Sequence, residues 1–228
     1  MFADRITAGK KLAEKLIKYT SNNPLVIALP RGGVAVGFPV AQMFHMPLEV
    51  VIVRKIGAPH NLELGIGAIA EDNVTFWDTD MVDNLGVSNQ ELLFLKEQES
   101  VELERRKQLY RNGESLPLLT SKTVILVDDG LATGVTACAA ILSIKKHHPK
   151  KIIFSVPVCS TETANEIRPL VDSLICLESP ENLDAIGRFY HNFRQVTDDE
   201  VVEILRKAEN NYSPRRFAKN GFEHKIVW

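Results

Sequence analysis

The sequence predicts an α/β fold with a central, mostly parallel sheet flanked by helices. Five short, mainly apolar runs have the length and composition of buried strands. They lie at residues 25–29, 49–53, 123–127, 151–156 and 173–177. Segments with helical spacing of apolar residues lie between most of them. Strands that alternate with helices in this way form a parallel sheet that is covered on both faces.

The helices are predicted from the spacing of their apolar residues. The first helix is expected over residues 4–19, where Ile6, Leu12, Ala13, Leu16 and Ile17 have the spacing of an amphipathic helix. Further helices are expected at 34–44, 89–111, 133–146, 161–170 and 198–208. Residues 54–72 contain four Gly or Pro residues and are predicted to be mostly loop. Residues 74–77 are predicted to be one arm of a hairpin.

Composition and charge exclude several classes of protein. Hydrophobic residues make up 45% of the chain and charged residues 25%, which is ordinary for a globular protein with a substantial core. The net charge of -2 gives no overall basic field for nucleic acid, and we expect no DNA partner. The three cysteines are far apart and odd in number, which indicates reduced thiols rather than a disulfide framework.

The location of the protein is inferred only by exclusion. No segment approaches the length of about 18 apolar residues that predicts a membrane span. The N-terminal residues are charged and lack the apolar region of a signal peptide. We therefore expect a cytoplasmic protein with no membrane partner.

A phosphate-binding motif is predicted at residues 124–136. An apolar strand leads through two acidic residues into a turn of small residues, and a helical segment follows. Backbone N–H groups at the start of a helix bind phosphate, and Gly130 and Gly134 allow the backbone to approach it closely. Thr133 and Thr136 add hydroxyl donors.

Asp128 and Asp129 stand directly before this turn. They would face the hydroxyls of a sugar whose phosphate lies in the turn, and they could hold Mg²⁺ directly or through water. A single Asp before a helix is usually only an N-cap. Two acids, two Thr and two Gly within nine residues favour a binding site instead.

The run Asp128-Asp129-x-x-Ala132-Thr133-Gly134-x-Thr136 resembles the signature with which type I phosphoribosyltransferases bind phosphoribosyl diphosphate (PRPP). Other stretches resemble a bacterial subgroup of predicted phosphoribosyltransferases, so that the resemblance covers nearly the whole chain. These stretches are residues 2–16, 28–33, 53–71 and 187–201. The central run is the most specific of these matches.

The resemblance implies a division of the chain into two parts. A core domain at 20–178 would bind PRPP and carry a flexible loop at about 55–72. A small hood subdomain would comprise 1–19 and 179–228, and the protein would be a homodimer. The PRPP phosphate would be held by Gly130, Leu131, Ala132, Thr133, Gly134, Val135 and Thr136.

The pyrophosphate site implied by the resemblance is the turn after the first core strand. Arg31, Gly32 and Gly33 occupy it, and relatives often have a cis non-proline peptide bond that would correspond to Pro30–Arg31. Glycine lets backbone N–H groups approach a diphosphate, and a guanidinium donates further hydrogen bonds. A tight turn between a strand and a helix is an equally good interpretation of these residues.

The mobile loop of the family supplies cations to the leaving pyrophosphate, and Arg54 and Lys55 are the candidates for this role, with His60 a poorer one. Together with Asp128 and Asp129 they form the predicted catalytic set. For Arg54 and Lys55, the alternative interpretation is a solvated strand end.

The hood of the family reads the acceptor base. Phe189 and Tyr190, with Phe193 close by, could stack on a ring. Packing of the hood against the core explains the same aromatic residues equally well.

The implied reaction transfers the 5-phosphoribosyl group from PRPP to a small-molecule acceptor, with Mg²⁺ as cofactor. Relatives that act on 6-oxopurines commonly have an acid where Ala132 stands, and the resemblance therefore disfavours these acceptors. Adenine, orotate, uracil or another acceptor stays open. A second interpretation is a regulatory protein that senses PRPP or a nucleotide without turnover, and a third is a degenerate enzyme that serves as an interaction scaffold.

Overall fold

The computed structural model describes residues 1–21 and 23–212. The part of the predicted hood beyond residue 212 lies outside the described residues. The strands are β1 (Pro24–Ala28), β2 (Leu48–Val50), β3 (Val53–Ala58), β4 (Asn61–Ala70), β5 (Val74–Trp77), β6 (Thr123–Val127), β7 (Lys151–Val158) and β8 (Ser173–Glu178). The helices are α1 (Arg5–Leu16), α2 (Gly32–Met43), α3 (Thr79–Leu85), α4 (Asn89–Arg111), α5 (Val135–Lys146), α6 (Thr161–Ile167) and α7 (Asp198–Tyr212). Short 3-10 turns occupy 17–19, 168–170 and 186–189.

The predicted parallel sheet is confirmed. Five strands pair in the order β2-β1-β6-β7-β8, and every pairing between them is parallel. Side chains of β6 alternate between two hydrophobic cores, because successive residues of a strand point to opposite faces. Val124 and Leu126 enter the core that α5 covers, whereas Ile125 and Val127 enter the core that α1 and α2 cover.

The prediction that residues 54–72 are mostly loop is wrong. β3 and β4 form an antiparallel pair over most of this region, and β5 extends it to a three-stranded sheet. The glycines permit close strand packing here rather than a loop. A Cβ atom on Gly67 would lie 2.5 Å from the ring of Trp77 on β5. The predicted hairpin arm at 74–77 is β5 and is confirmed.

Helix α4 has the bounds that the sequence predicts. Ser88 and Glu91 form a capping box at its start, and Asn112 ends it in the left-handed conformation. Among the described residues, none of the helices combines the length and the hydropathy needed to cross a membrane.

A buried ion pair connects the two sheets at the end of α4. Arg111 donates a hydrogen bond to Glu71, and the other carboxylate oxygen of Glu71 accepts one from the backbone N–H of Ile52 at 2.7 Å. The two charged side chains are 6% and 4% exposed. This contact fixes the three-stranded sheet relative to the central sheet and so fixes the position of β3 beside the predicted site.

Candidate functional site

The predicted phosphate-binding turn joins β6 to α5 at the carboxyl end of the central sheet. Gly134 adopts a φ of 77° directly before α5 begins, a conformation that glycine takes without strain. Ala132 and Thr133 are exposed, and Thr136 is half-buried. The first backbone N–H groups of a helix have no partner within it, so that those of α5 are free to bind an anion.

Residues on β7 and α6 form hydrogen bonds with the backbone of the turn. The backbone N–H of Leu131 donates to the carbonyl of Val158 at 2.9 Å. The hydroxyl of Thr163 donates to the carbonyl of Ala132. These contacts hold the turn through its backbone and leave the exposed side of Ala132 and Thr133 open.

Asp128 and Asp129 are both half-buried at the end of β6. Asp128 accepts a hydrogen bond from the backbone N–H of Asp129 at 2.8 Å. Burial, and then the charge of Asp129, raise the pKa of Asp128 well above its usual value. Burial also raises the pKa of Asp129, while Arg5 acts in the opposite direction.

Arg5, the first residue of α1, forms an ion pair with Asp129. Its Nε donates to Oδ2 of Asp129 at 2.7 Å, and Nη1 donates to the carbonyl of Arg194 at 2.8 Å. The guanidinium carbon lies 3.8 Å from the ring centroid of Phe193. Arg5 is not recognisable as a site residue from the sequence, because its partner is 124 residues away and no local pattern marks the contact.

The predicted pyrophosphate turn lies beside the acid pair. The Pro30–Arg31 peptide bond is cis, as predicted. A Cβ atom on Gly32 would lie only 1.8 Å from Oδ2 of Asp129, so that this close approach requires glycine. Nη1 of Arg31 lies 3.5 Å from Oδ1 of Asp198, the first residue of α7. The structure therefore brings Gly32 to the site but directs Arg31 toward an acidic partner.

Arg54 and Lys55 point to opposite faces of the three-stranded sheet. Nε of Arg54 donates to Glu99 on α4 at 2.7 Å. Nζ of Lys55 donates to the carbonyl of Glu63 at 2.8 Å. A Cβ atom on Gly65 would lie 3.0 Å from Lys55 and 3.2 Å from Val135, the first residue of α5. Lys55 thus lies near the start of α5.

The remaining weak candidate, His60, is exposed in the turn between β3 and β4. It lies on the side of the hairpin where Ala58, Leu64 and Leu85 line a cavity of about 240 Å³.

The segment that contains Tyr190 packs against the acid pair. The hydroxyl of Tyr190 donates to the carbonyl of Asp129 at 2.6 Å. The ring of Tyr190 is 5.4 Å from that of Phe2 and 4.9 Å from that of Phe193, measured between centroids. Tyr190 is 5% exposed, which favours the packing interpretation for this residue. Phe189 is half-buried beside it.

The negative charge of the acid pair suits the binding of a magnesium ion. Asp128 and Asp129 bring two carboxylates together, and Arg5 is positioned to neutralise one of them. Mg²⁺ is usually held by one or two carboxylates together with substrate phosphates and water. The described part of the chain contains no cluster of three or more His, Cys, Asp or Glu side chains that could hold a metal alone. Oxygen ligands supplied partly by the substrate suit this arrangement.

The chain is similar to proteins of one family. The family model described as a phosphoribosyl transferase domain matches residues 3–194. A Mycobacterium tuberculosis protein that is named as a proposed phosphoribosyl transferase is 36% identical over 213 residues, which are 93% of this chain and 48% of that protein. The chain therefore spans about half the length of the curated relatives that it matches.

Solved structures agree with this similarity. The TT1426 protein from Thermus thermophilus has a TM-score of 0.75 and 33% identity, and the match covers 90% of this chain and 98% of that one. The AQ2163 protein from Aquifex aeolicus has a TM-score of 0.50 and 15% identity, over 80% of this chain and 78% of that one, and shows the fold alone. The fold is that of type I phosphoribosyltransferases, and the chain belongs to the phosphoribosyl transferase family.

Proposed function

We propose that the protein transfers the 5-phosphoribosyl group from PRPP to a small-molecule acceptor of the nucleobase class and releases pyrophosphate. The observation that carries this proposal is the order of groups from the end of β6 to the start of α5. The half-buried Asp128 and Asp129 come first, and the exposed Thr133 and the half-buried Thr136 follow. A sugar and its 5-phosphate require this order of carboxylate and anion-binding groups.

The donor binds through residues of three elements. The 5-phosphate lies in the turn from Gly130 to Thr136, and the ribose hydroxyls meet the acid pair. Backbone N–H groups at Gly32 and Gly33 bind the pyrophosphate. Asp128 and Asp129 would hold Mg²⁺, directly or through water. The ion would offset the charge of the pyrophosphate when it binds with PRPP.

The transfer breaks the bond between C1 of the ribose and the pyrophosphate oxygen, which keeps the electron pair. A nitrogen of the acceptor forms the new bond to C1, and the proton of that nitrogen passes to solvent. Lys55 lies on the face of β3 nearest α5 and donates to the departing oxygen once its bond to Glu63 is exchanged. Positioning and charge stabilisation therefore account for the protein's contribution.

The acceptor is proposed to be other than a 6-oxopurine. Ala132 is exposed in the turn and offers no side-chain group for hydrogen bonding. The resemblance implies that a protein acting on 6-oxopurines would have an acid at this position, which Ala132 cannot replace. Phe189, half-buried beside Tyr190, is proposed to contact the acceptor ring.

The deciding experiment measures pyrophosphate release from PRPP and Mg²⁺ with adenine, orotate, uracil, hypoxanthine and guanine as acceptors. Release with one of the first three supports the transferase, and efficient release with hypoxanthine or guanine contradicts the argument from Ala132. Tight PRPP binding without release would favour the sensing protein instead. The variant carrying Asp128→Asn and Asp129→Asn is the control for release that does not depend on the site.

A further inference from the structure

We propose that Arg5 is a positioning residue of the donor site. It neutralises Asp129 and holds it in place, which leaves Asp128 as the carboxylate that meets the ribose and its cation. This inference rests on the proposed function, because it assigns different roles to the two acids of the PRPP site.

Arg5, Asp128 and Asp129 form a cluster of three charged side chains. The side chains of Arg5 and Asp129 are 11% and 16% exposed and lie 2.7 Å apart. A charge-assisted hydrogen bond at this depth is stronger than one at the surface. None of the ion pairs in the described part of the chain includes Asp128. The cluster therefore carries one carboxylate in excess, at the position where a cation would arrive with the donor.

The carboxylate of Asp129 has little free space around it. Its Oδ2 atom receives Nε of Arg5 and lies close against Gly32 on the opposite turn. A ligand that bound this oxygen would have to displace the guanidinium. Asp128 instead uses one oxygen to accept the backbone N–H of Asp129. The charge of Arg5 acts on Asp128 as well, but among the described residues the hydrogen bond of Nε goes to Asp129.

Arg5 is itself held by several contacts. Its Nη1 atom is bonded to the carbonyl of Arg194, and its guanidinium stacks on Phe193. Tyr190 holds the backbone carbonyl of Asp129 from the same side. Arg5 on α1 thus holds the carboxylate of Asp129, and Tyr190 holds its backbone carbonyl. A guanidinium held in this way is suited to position a neighbour rather than to move with a substrate.

The test compares Arg5→Gln, Arg5→Lys and the matched control Lys15→Gln, which removes one exposed charge from the same helix. Calorimetric titration with PRPP and Mg²⁺ should show affinity about tenfold weaker for Arg5→Gln, largely restored in Arg5→Lys and unchanged in the control. Asp128→Asn should weaken binding by about 100-fold or more, because it removes the carboxylate that meets the donor.

A second measurement uses Mn²⁺ alone, detected by electron paramagnetic resonance. Without Arg5, two neighbouring carboxylates lack a cation, and this arrangement attracts a metal. Arg5→Gln should therefore bind Mn²⁺ about tenfold more tightly than the unchanged protein. A role of Arg5 in holding helix α1 alone would leave the Mn²⁺ affinity unchanged.

A double-mutant cycle completes the test. In an Asp129→Asn background, Arg5→Gln should change PRPP affinity by less than about twofold, because its effect passes through Asp129. Independent, multiplying losses would overturn the proposal, as would an Arg5→Gln protein with unchanged affinities for both PRPP and Mn²⁺. If the unchanged protein binds no PRPP, the proposed function itself fails. That result is distinct from one in which PRPP binds but the two carboxylates respond alike.

Discussion

Arg54 and Lys55 are neighbours in the sequence, yet their charged groups serve different faces of one sheet. The guanidinium of Arg54 meets Glu99 on α4, whereas the ammonium group of Lys55 lies on the side of α5. The period of two residues in a strand makes this separation unavoidable. Lys55 is therefore better placed than Arg54 to reach a substrate bound at the start of α5.

Lys55→Ala should lower the turnover rate by about 100-fold, with less than about a threefold change in PRPP affinity, because the ammonium group acts on charge that develops during the reaction. Steady-state rates and PRPP titration separate the two effects. Arg54→Ala is the matched comparison, and its loss of rate should be much smaller. A larger loss in Arg54→Ala than in Lys55→Ala would reverse the assignment.

The stability of the unliganded protein should depend on the ionisation of Asp128. Burial, and then the charge of Asp129, raise the pKa of Asp128 in the folded state. The folded protein consequently binds this proton more tightly than the unfolded chain. The contribution to stability is full at low pH and is lost as the pH rises through the raised pKa.

Asp128→Asn removes the buried charge that lowers the stability of the folded protein at pH 7. The unfolding temperature at pH 7 should therefore rise by about 2–4 °C for each kcal/mol regained. Thermal unfolding is followed without PRPP or Mg²⁺, at pH 5 and at pH 7. The advantage of the variant should be smaller at pH 5. An Asn variant that unfolds at a lower temperature at pH 7 would show that the carboxylate stabilises the free protein.

Breaking the buried pair of Glu71 and Arg111 should be costly. Glu71→Ala leaves a buried guanidinium without its carboxylate, and the expected loss is about 3–5 kcal/mol of unfolding free energy. Replacing both partners, with Glu71→Leu and Arg111→Met, should cost much less. Urea denaturation measures both variants. Equal losses in the two would mean that the ion pair itself supplies net stability.

Gly134→Ala should weaken PRPP binding by about tenfold or more. The substituted residue would have to keep a φ of 77°, and its methyl group would lie 2.9 Å from Thr163. The start of α5 must therefore shift. Binding is measured by titration with PRPP and Mg²⁺. Gly86→Ala is the control, since Gly86 also has a positive φ but lies at the end of α3 with open space around it. Equal losses of PRPP affinity would count against the role of the turn.

The aromatic residues of the hood should separate into two roles. Tyr190→Phe removes the hydrogen bond to Asp129 and should reduce stability by about 1 kcal/mol. Phe189→Ala should raise the KM for the acceptor and leave the KM for PRPP nearly unchanged. Kinetics with the acceptor found in the release assay test this. An acceptor KM that depends on neither residue would place the acceptor elsewhere.

The parts of the fold that depend on local pattern were predictable. Strand β6, the turn and helix α5 follow one another in sequence, and apolar runs mark the other parallel strands. The hairpin of β3 and β4 was not predictable in this way. Its glycines are typical of loops, and only contacts within the folded protein, such as that of Gly67 with Trp77 on β5, explain why small residues are needed there.

The same limit applies to the candidate site. Asp128 and Asp129 could be identified from their place before the turn, but nothing near them in sequence indicates that Asp129 has a guanidinium partner. Arg5 and Asp198 act through contacts that span the chain, the second of them with Arg31 and Tyr110. Spacing patterns record neighbours within an element, whereas these contacts depend on how helices from distant parts of the chain are placed.

The contact between Arg5 and Arg194 spans 189 residues of the chain. Beside it, the backbone of Phe2 exchanges hydrogen bonds with Phe189 and His191. Contacts between such distant residues carry a large loop-closure entropy and tend to form late in folding. The central sheet is therefore expected to form first, and the acid pair to receive its guanidinium only when the two distant segments have met. Refolding experiments should then show recovery of the helical signal before recovery of ligand binding.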